Sequence, residues 1–574
     1  MRNSQDRIPL KSFFEEVERR LQSLSAEDLR AVLLEIARQA GPNERSLFLN
    51  QLQPPAQKRV LIEQEAGMDG LLRDVADLKQ ILRKEMEDAA DEYQGYEDYD
   101  DESGTAYEDF AGNLEELFDR AQAAFDLGLY SIARDAYRGL FDALTEEDDH
   151  GRSVAPPNGV DLEDARDRYL NALCVTTTPQ DRAMHLLDAF RDWERRTGWW
   201  RSPTVGEVFQ VGSLSEPERE GILSGLIDLL SDSNDLAGDR WLRQATRLLH
   251  GRAGIGELAR LQGHRRPHAY LDWLEEVAAE KNPADLMAAS REALKALPAA
   301  LPLRAAAADQ MYRAAVALGD EKTALAARWE AFQTEPSVTR LLDLWDAAGE
   351  GPARRDWARR AASFAAGWKV SREPIAEDKP ILVEKGYSCL PESPVTHACS
   401  LLLAEAWDEA METAAKDPVL GWSGGESSQA LVLPFMLLHL SSLPPASLPP
   451  NLGALWQEAI ARVFRWGDGA PDARKRLSDA LDAVMRAVNA SPAEDAKRLE
   501  WCSTIALKRV NAIADGTHRG AYERAATLAV ALAEMFRSRG EQLKGDRMFH
   551  NLMERHNRKP AFKRALQACR RSSE

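Results

Sequence analysis

The amino-acid sequence predicts an all-α protein built in large part from helix pairs stacked in series, and three observations carry that prediction. The composition leans on Ala, Leu, Arg and Glu, which are strong helix formers. Runs of alternating Val, Ile and Thr, the mark of half-buried strands, are almost absent. Two segments, around Gly128 and Gly319, set Gly, Ala and Pro at offsets that close two short helices on each other. Single cores stop growing well below 574 residues, so about two to four packing units are expected.

The elements follow in order. Residues 1–84 read as an N-terminal helical bundle, with Phe13, Phe14, Val17 and Leu21 at helical spacing. Ser25 then offers an N-cap hydroxyl and Asp28 a carboxylate three residues later, so a reciprocal pair of hydrogen bonds is expected. The helix it starts carries Leu29, Val32, Leu33, Ile36 and Ala37 on one face, and Gly41-Pro42-Asn43 ends it. A further helix from about Asp69 to Lys84 carries Leu71, Leu72, Val75, Leu78, Ile81 and Leu82.

Residues 85–109 hold twelve acidic side chains and no Lys or Arg, interleaved with Tyr93, Tyr96, Tyr99 and Tyr107. Like charge at that density opposes compaction, so the run reads as a solvated linker, with docking of a basic partner as the alternative. Taking those twelve from the formal net charge of −20 leaves −8 for the rest, too little for a general field that attracts polyanions.

The chain then becomes repetitive, with one helical-repeat block expected over 110–375 and a second over 376–574. Gly128-Leu-Tyr130-Ser-Ile-Ala133-Arg-Asp-Ala-Tyr137-Arg-Gly-Leu140 reads as two helices about Gly128. The small Ala133 lets them approach while Tyr137 and Leu140 fill the groove, a pattern that resembles the tetratricopeptide (TPR) repeat. Leu318-Gly319-Asp320 followed by Ala324, Ala331 and Pro336 repeats it. Pro298 stands 38 residues before Pro336, and Leu286, Ala289, Ala293 and Ala296 form the helix ahead of it. Trp407 to Ala414 and Tyr522 to Leu528 are weaker echoes. The irregular period gives a degenerate TPR-like solenoid.

Ala324-Leu-Ala-Ala-Arg-Trp329-Glu-Ala-Phe332-Gln-Thr-Glu-Pro336, Ala521-Tyr522-Glu-Arg-Ala525-Ala526 with Ala531 to Glu534, and Lys559-Pro-Ala-Phe562-Lys-Arg-Ala-Leu566 together resemble the TPR-like region of bacterial SWIM zinc-finger proteins. The resemblance touches the second half of the chain and rests on helix-packing residues. It implies a bacterial cytoplasmic helical scaffold, of the kind found beside MoxR-type ATPases and von Willebrand A-type adaptors. The finger itself is missing, since no Cys-x-Cys occurs, and no zinc or nucleic-acid role of the finger carries over.

Catalytic patterns are few. Gly421-Trp422-Ser423-Gly424-Gly425 fits G-x-S-x-G, but a nucleophile elbow needs a strand leading into the turn, and the residues before it read as helix. The expected alternative is an inter-helix loop in which Trp422 plugs an apolar groove and Ser427 caps the next helix; a serine hydrolase at Ser423, with His397 or His439 as base, is the outside reading. Cys389, His397 and Cys399 are three residues able to ligate a metal, without a nearby fourth Cys or His. Gly-Lys never occurs, which excludes a chain-encoded P-loop, and H-E-x-x-H is absent. No cofactor is called for.

The five cysteines, Cys174, Cys389, Cys399, Cys502 and Cys569, form no CxxC pair and suit a reducing compartment. The longest apolar stretch, Ala430 to Leu440, falls short of the roughly 20 residues a membrane span needs, so a cytoplasmic protein without membrane contact is expected.

Binding residues are sought in three places. Trp199 and Trp200, between Gly198 and Pro203, are the candidate exposed aromatic patch; Trp422 is the second site; Arg558, Lys559, Lys563 and Arg564 head the third. That third place is a basic C-terminus that also holds Lys544, Arg547, Arg555, Arg570 and Arg571 around Phe549 and Phe562. His264-Arg265-Arg266-Pro267-His268 is a lesser basic cluster. The function expected is a non-catalytic scaffold holding a protein partner, with a nucleic-acid-associated factor acting through the basic C-terminus as the alternative.

Overall fold

The structure is a computed structural model. It describes residues 25, 28–30, 68–92, 107, 110–148, 151–195, 201–212, 214–299, 301–368, 381, 394–422, 427–464, 471–488 and 491–573. Among these there is no strand, only an isolated bridge between Glu147 and Ser153. The protein is all-α, and no described helix is long and apolar enough to cross a membrane. The chain divides into two compact units, Met1–Asp232 and Ser233–Glu574.

The first unit contains α1 (Met68–Glu92), α2 (Ala111–Asp126), α3 (Tyr130–Leu144), α4 (Leu162–Thr176), α5 (Arg182–Arg195), the short α6 (Val205–Val208) and α7 (Glu216–Leu230). Ahead of them, the Ser25 hydroxyl accepts from the Asp28 N–H at 3.1 Å while the Asp28 carboxylate accepts from the Ser25 N–H at 3.2 Å, the reciprocal pair expected there.

α1 runs on through the first eight residues of the acidic stretch. Leu71, Val75, Leu78, Leu82 and Met86 form one buried stripe that continues into the run, and the carboxylates of Glu85, Glu87 and Asp88 stay on exposed faces. Leu72 and Ile81, expected on the apolar face, fall off the stripe and are exposed. α1 packs on α3, so helices on both sides of the acidic run share one unit. A β-carbon at Gly139 would lie 2.6 Å from Val75 Cγ1, which is the close approach that this glycine permits.

The α2–α3 pair turns at Gly128, whose φ of +74° is left-handed. Ala133, Tyr137 and Leu140 are buried as expected, and Phe141 meets Phe118 and Trp193 edge-on at 5.4 and 4.8 Å.

The second unit opens with α8 (Leu236–Gln262), broken by Gly251, then α9 (His268–Ala279), α10 (Pro283–Ala296), α11 (Leu303–Leu318), α12 (Glu321–Thr334), α13 (Val338–Ala347) and α14 (Pro352–Gly367). Each of these packs on the next. Between α11 and α12 the sequence signals act as written. Gly319 takes a left-handed φ of +70° and closes α11, and the Asp320 carboxylate accepts from the Thr323 N–H at 3.0 Å to start α12.

α12 has two apolar faces. Ala324, Ala327 and Ala331 join a core running from Ile255 to Ala331, while Trp329 and Phe332 join a second core running from Trp329 to Leu566. The second core therefore takes in helices on both sides of 375, where one repeat block was expected to give way to another.

Its remaining helices are α15 (Pro394–Leu403), α16 (Trp407–Ala414), α17 (Gln429–Ser441), α18 (Pro450–Val463), α19 (Pro471–Ala487), α20 (Pro492–Asp515), α21 (Tyr522–Ser538), α22 (Gln542–Arg555) and α23 (Pro560–Arg571). Series packing ends here. α21 is held by α17, α18, α20, α22 and α23 together, and α17 is buried on every face except at His439. That accounts for the uninterrupted apolar run in α17: a helix surrounded by protein has no polar stripe.

Candidate functional site

α20 and α22 both lie against α21, and a groove opens between them. Leu507 and Asn511 of α20 form one wall; Lys544, Arg547, Met548, Asn551, Leu552 and Arg555 of α22 form the other. The buried stripe of α22, Gly545, Phe549 and Leu552, fixes the helix on α21 and turns the next row outward. Leu507 and Met548 are half-buried, whereas Lys544, Arg547 and Arg555 are exposed around them. One turn before Arg547, Leu543 is 81% exposed, the most exposed large apolar side chain described.

The rim charges differ in freedom. Lys544 pairs with Glu541 at 2.6 Å and holds that carboxyl below its ordinary range. Arg555 pairs with Asp515 at 3.0 Å. Arg547 has no carboxylate partner among the described residues. Behind the groove, the His556 ring faces Asn511 Oδ1 through Nε2 at 2.9 Å and meets Phe562 edge-on. Burial holds its pKa below the ordinary value, and the contact with Asn511 keeps that side chain at the groove wall.

The basic residues singled out in the sequence separate. Lys559 reaches the C-terminus of α20, where its ammonium donates to the carbonyls of Ala514 and Asp515, the favoured place for a cation on a helix dipole. It is a structural cap. Arg558 and Arg564 are exposed and Lys563 half-buried, none of them paired with a described carboxylate. Arg570 pairs with Asp546 and lies over Phe549 at 4.7 Å. Partial pairing makes the basic end less of a polyanion surface than its composition promised.

His264–His268 is not a surface cluster either. Arg266 is fully buried against the equally buried Asp239 at 3.0 Å, and Arg265 donates to the Ser233 carbonyl. A buried guanidinium needs such a partner, and α8 supplies it.

Trp422 is 4% exposed and sits under Arg509, whose guanidinium carbon is 3.8 Å from the ring centroid. It plugs a gap rather than presenting a surface. Ser427 does not cap α17. The Asp417 carboxylate does so from across the loop, accepting from the N–H groups of Ser428 at 2.6 Å and Gln429 at 3.3 Å and from the Ser427 hydroxyl. Trp199, Trp200, Ser423 and Cys389 lie outside the described residues.

α16 and a turn precede the G-x-S-x-G segment, so the described residues hold no strand that would feed an elbow. Cys399 is fully buried, which pushes its thiol up, and His397 is on the same helix with its pKa lowered by burial. Among the described residues no three or more His, Cys, Asp or Glu side chains form a group able to hold a metal ion.

The groove itself escaped the sequence because Leu507 and Met548 are 41 positions apart, on two helices that each pack on α21. Leu543 and Met548 were nevertheless visible as apolar residues on a helix whose buried row is 545, 549 and 552. No known protein family's sequence profile matches the chain, and no curated protein matches it.

Proposed function

We propose that this chain is a non-catalytic TPR-like helical-repeat scaffold, and that the groove between α20 and α22 binds an acidic, amphipathic peptide segment of a protein partner. The observation that carries the reading is an apolar floor of Leu507, Met548 and Leu552 under a rim of Lys544, Arg547 and Arg555, of which Arg547 has no carboxylate partner among the described residues. A helical segment with apolar residues at i and i+3 or i+4 fills such a floor, and its carboxylates meet the rim. Methionine adapts to ligands of different shape. The series packing of α8 to α14 supports the repeat reading, and the SWIM-like helical segments support a bacterial, cytoplasmic setting.

The test is co-purification with the intact tagged protein at moderate salt, with a nuclease-treated duplicate. A stoichiometric protein partner that survives nuclease and is lost from the Arg547→Glu and Met548→Glu variants is the expected outcome. Recovery of nucleic acid alone, abolished by Ala at Arg558, Lys559, Lys563 and Arg564, would replace the scaffold with a nucleic-acid-associated factor.

A further inference from the structure

A second cluster, independent of the groove, gathers three arginines with one carboxylate. Arg462 of α18, Arg509 of α20 and Arg524 of α21 line one small cleft with Trp422, Glu458 and Leu528. Arg462 is committed at one end to Glu458 and donates to the Trp422 carbonyl at 3.1 Å. Arg509 is 7% exposed, donates to the Val419 carbonyl at 2.6 Å, and has no carboxylate partner among the described residues. Arg524 is exposed and also has none. The Trp422 indole N–H is buried without a hydrogen-bond partner among the described residues.

An unpaired buried guanidinium beside two others is costly, because the buried charge loses water and the three repel. Burial, then Arg462 and Arg524, pull the pKa of Arg509 down to about 9. Asp417, five residues before Trp422, is spent on the N-terminus of α17. Glu458 against three guanidinium groups leaves two positive charges that no described carboxylate neutralises. Flat guanidinium forks suit a tetrahedral oxyanion with several acceptors, and a dianion matches the surplus.

We propose that the cleft of Arg462, Arg509, Arg524 and Trp422 is an anion site for a phosphate dianion, either inorganic phosphate or the phosphate group of a small monoester. Arg509 and Arg524 supply the free donors, and the Trp422 indole holds the Arg509 plane. The site lies at the junction of α18, α20 and α21, so its occupant ties together the helices that centre the second core.

The experiment is a melting-temperature titration of the full chain with inorganic phosphate and with glycerol phosphate, against acetate and chloride at equal ionic strength. A saturable rise is expected with a phosphate, absent with acetate and chloride, and the tighter of the two ligands identifies the source. Arg524→Gln and Arg509→Met are expected to weaken it at least about tenfold, the loss of one charge-assisted contact, while Arg474→Gln on the exposed face of α19 leaves it unchanged. Because Arg524 is exposed, its variant folds even if the Arg509 variant does not. A phosphate response no larger than that of chloride, or one that survives Arg524→Gln, overturns the site.

Discussion

At the scale of single residues, buried charge sets the pH behaviour of the first unit. Arg166 is fully buried, donates to Asp167 at 2.8 Å and lies 3.5 Å from Glu207. Burial pushes the Asp167 carboxyl up to about 6 in spite of that partner. A carboxyl whose folded pKa lies above its unfolded one contributes stability below the unfolded value and loses it as pH rises through the folded value. Relative to Asp167→Asn, the natural protein is therefore predicted to lose stability between pH 4 and 6, by at most about 3 kcal/mol. Urea denaturation of both proteins across that range checks it, and parallel curves would refute it. Gly319 gives a second residue-scale prediction. Its left-handed φ penalises any side chain, so Gly319→Ala costs about 1 kcal/mol, read as a shift in the urea midpoint.

At the scale of elements, Asp417 is the point on which α17 depends. One carboxylate takes two backbone N–H groups and two hydroxyls at the start of a helix buried on nearly all faces. Asp417→Ala is predicted to destabilise by about 2 kcal/mol, the upper end for a helix cap, because the orphaned donors are buried. Helix pairs were legible in the sequence where their signals are local. Ser25 with Asp28, Gly128 with Ala133 and Tyr137, and Gly319 with Asp320 each act within a short stretch of consecutive residues. What depended on a distant neighbour was not legible. Ser427 reads as the cap because it stands next to α17, whereas the acceptor, Asp417, comes from ten residues back. Likewise the acidic run reads as linker from its charge alone. Met86 on the buried stripe of α1 extends the helix into it. Arg509 was open to notice, since it interrupts the apolar row of Cys502, Ile505, Ala506, Val510 and Ile513.

At the scale of the molecule, the cores decide where the chain can be cut. The core from Trp329 to Leu566 joins α12, α13 and α14 to every later helix but none before α12. A fragment of residues 233–574 is predicted to unfold cooperatively on its own, while 376–574 alone is predicted to be poorly packed, having lost Trp329, Phe332, Leu341 and Trp345 from its core. Near-ultraviolet circular dichroism of the two fragments distinguishes these outcomes. The all-α class was readable from composition, but the change from series packing to a bundle about α21 was not, because it depends on which apolar helices meet across about 100 residues of chain.

The scaffold reading rests on the groove, and the most direct measurement is photocrosslinking from its floor. A photoreactive amino acid at position 548, compared with one at the exposed Val316 of α11, is introduced into the full chain in its native cell. A discrete protein adduct from 548, absent from 316 and lost with Arg547→Glu, is the result predicted. Adducts of equal pattern from both positions, or to nucleic acid alone, would contradict a peptide-binding groove.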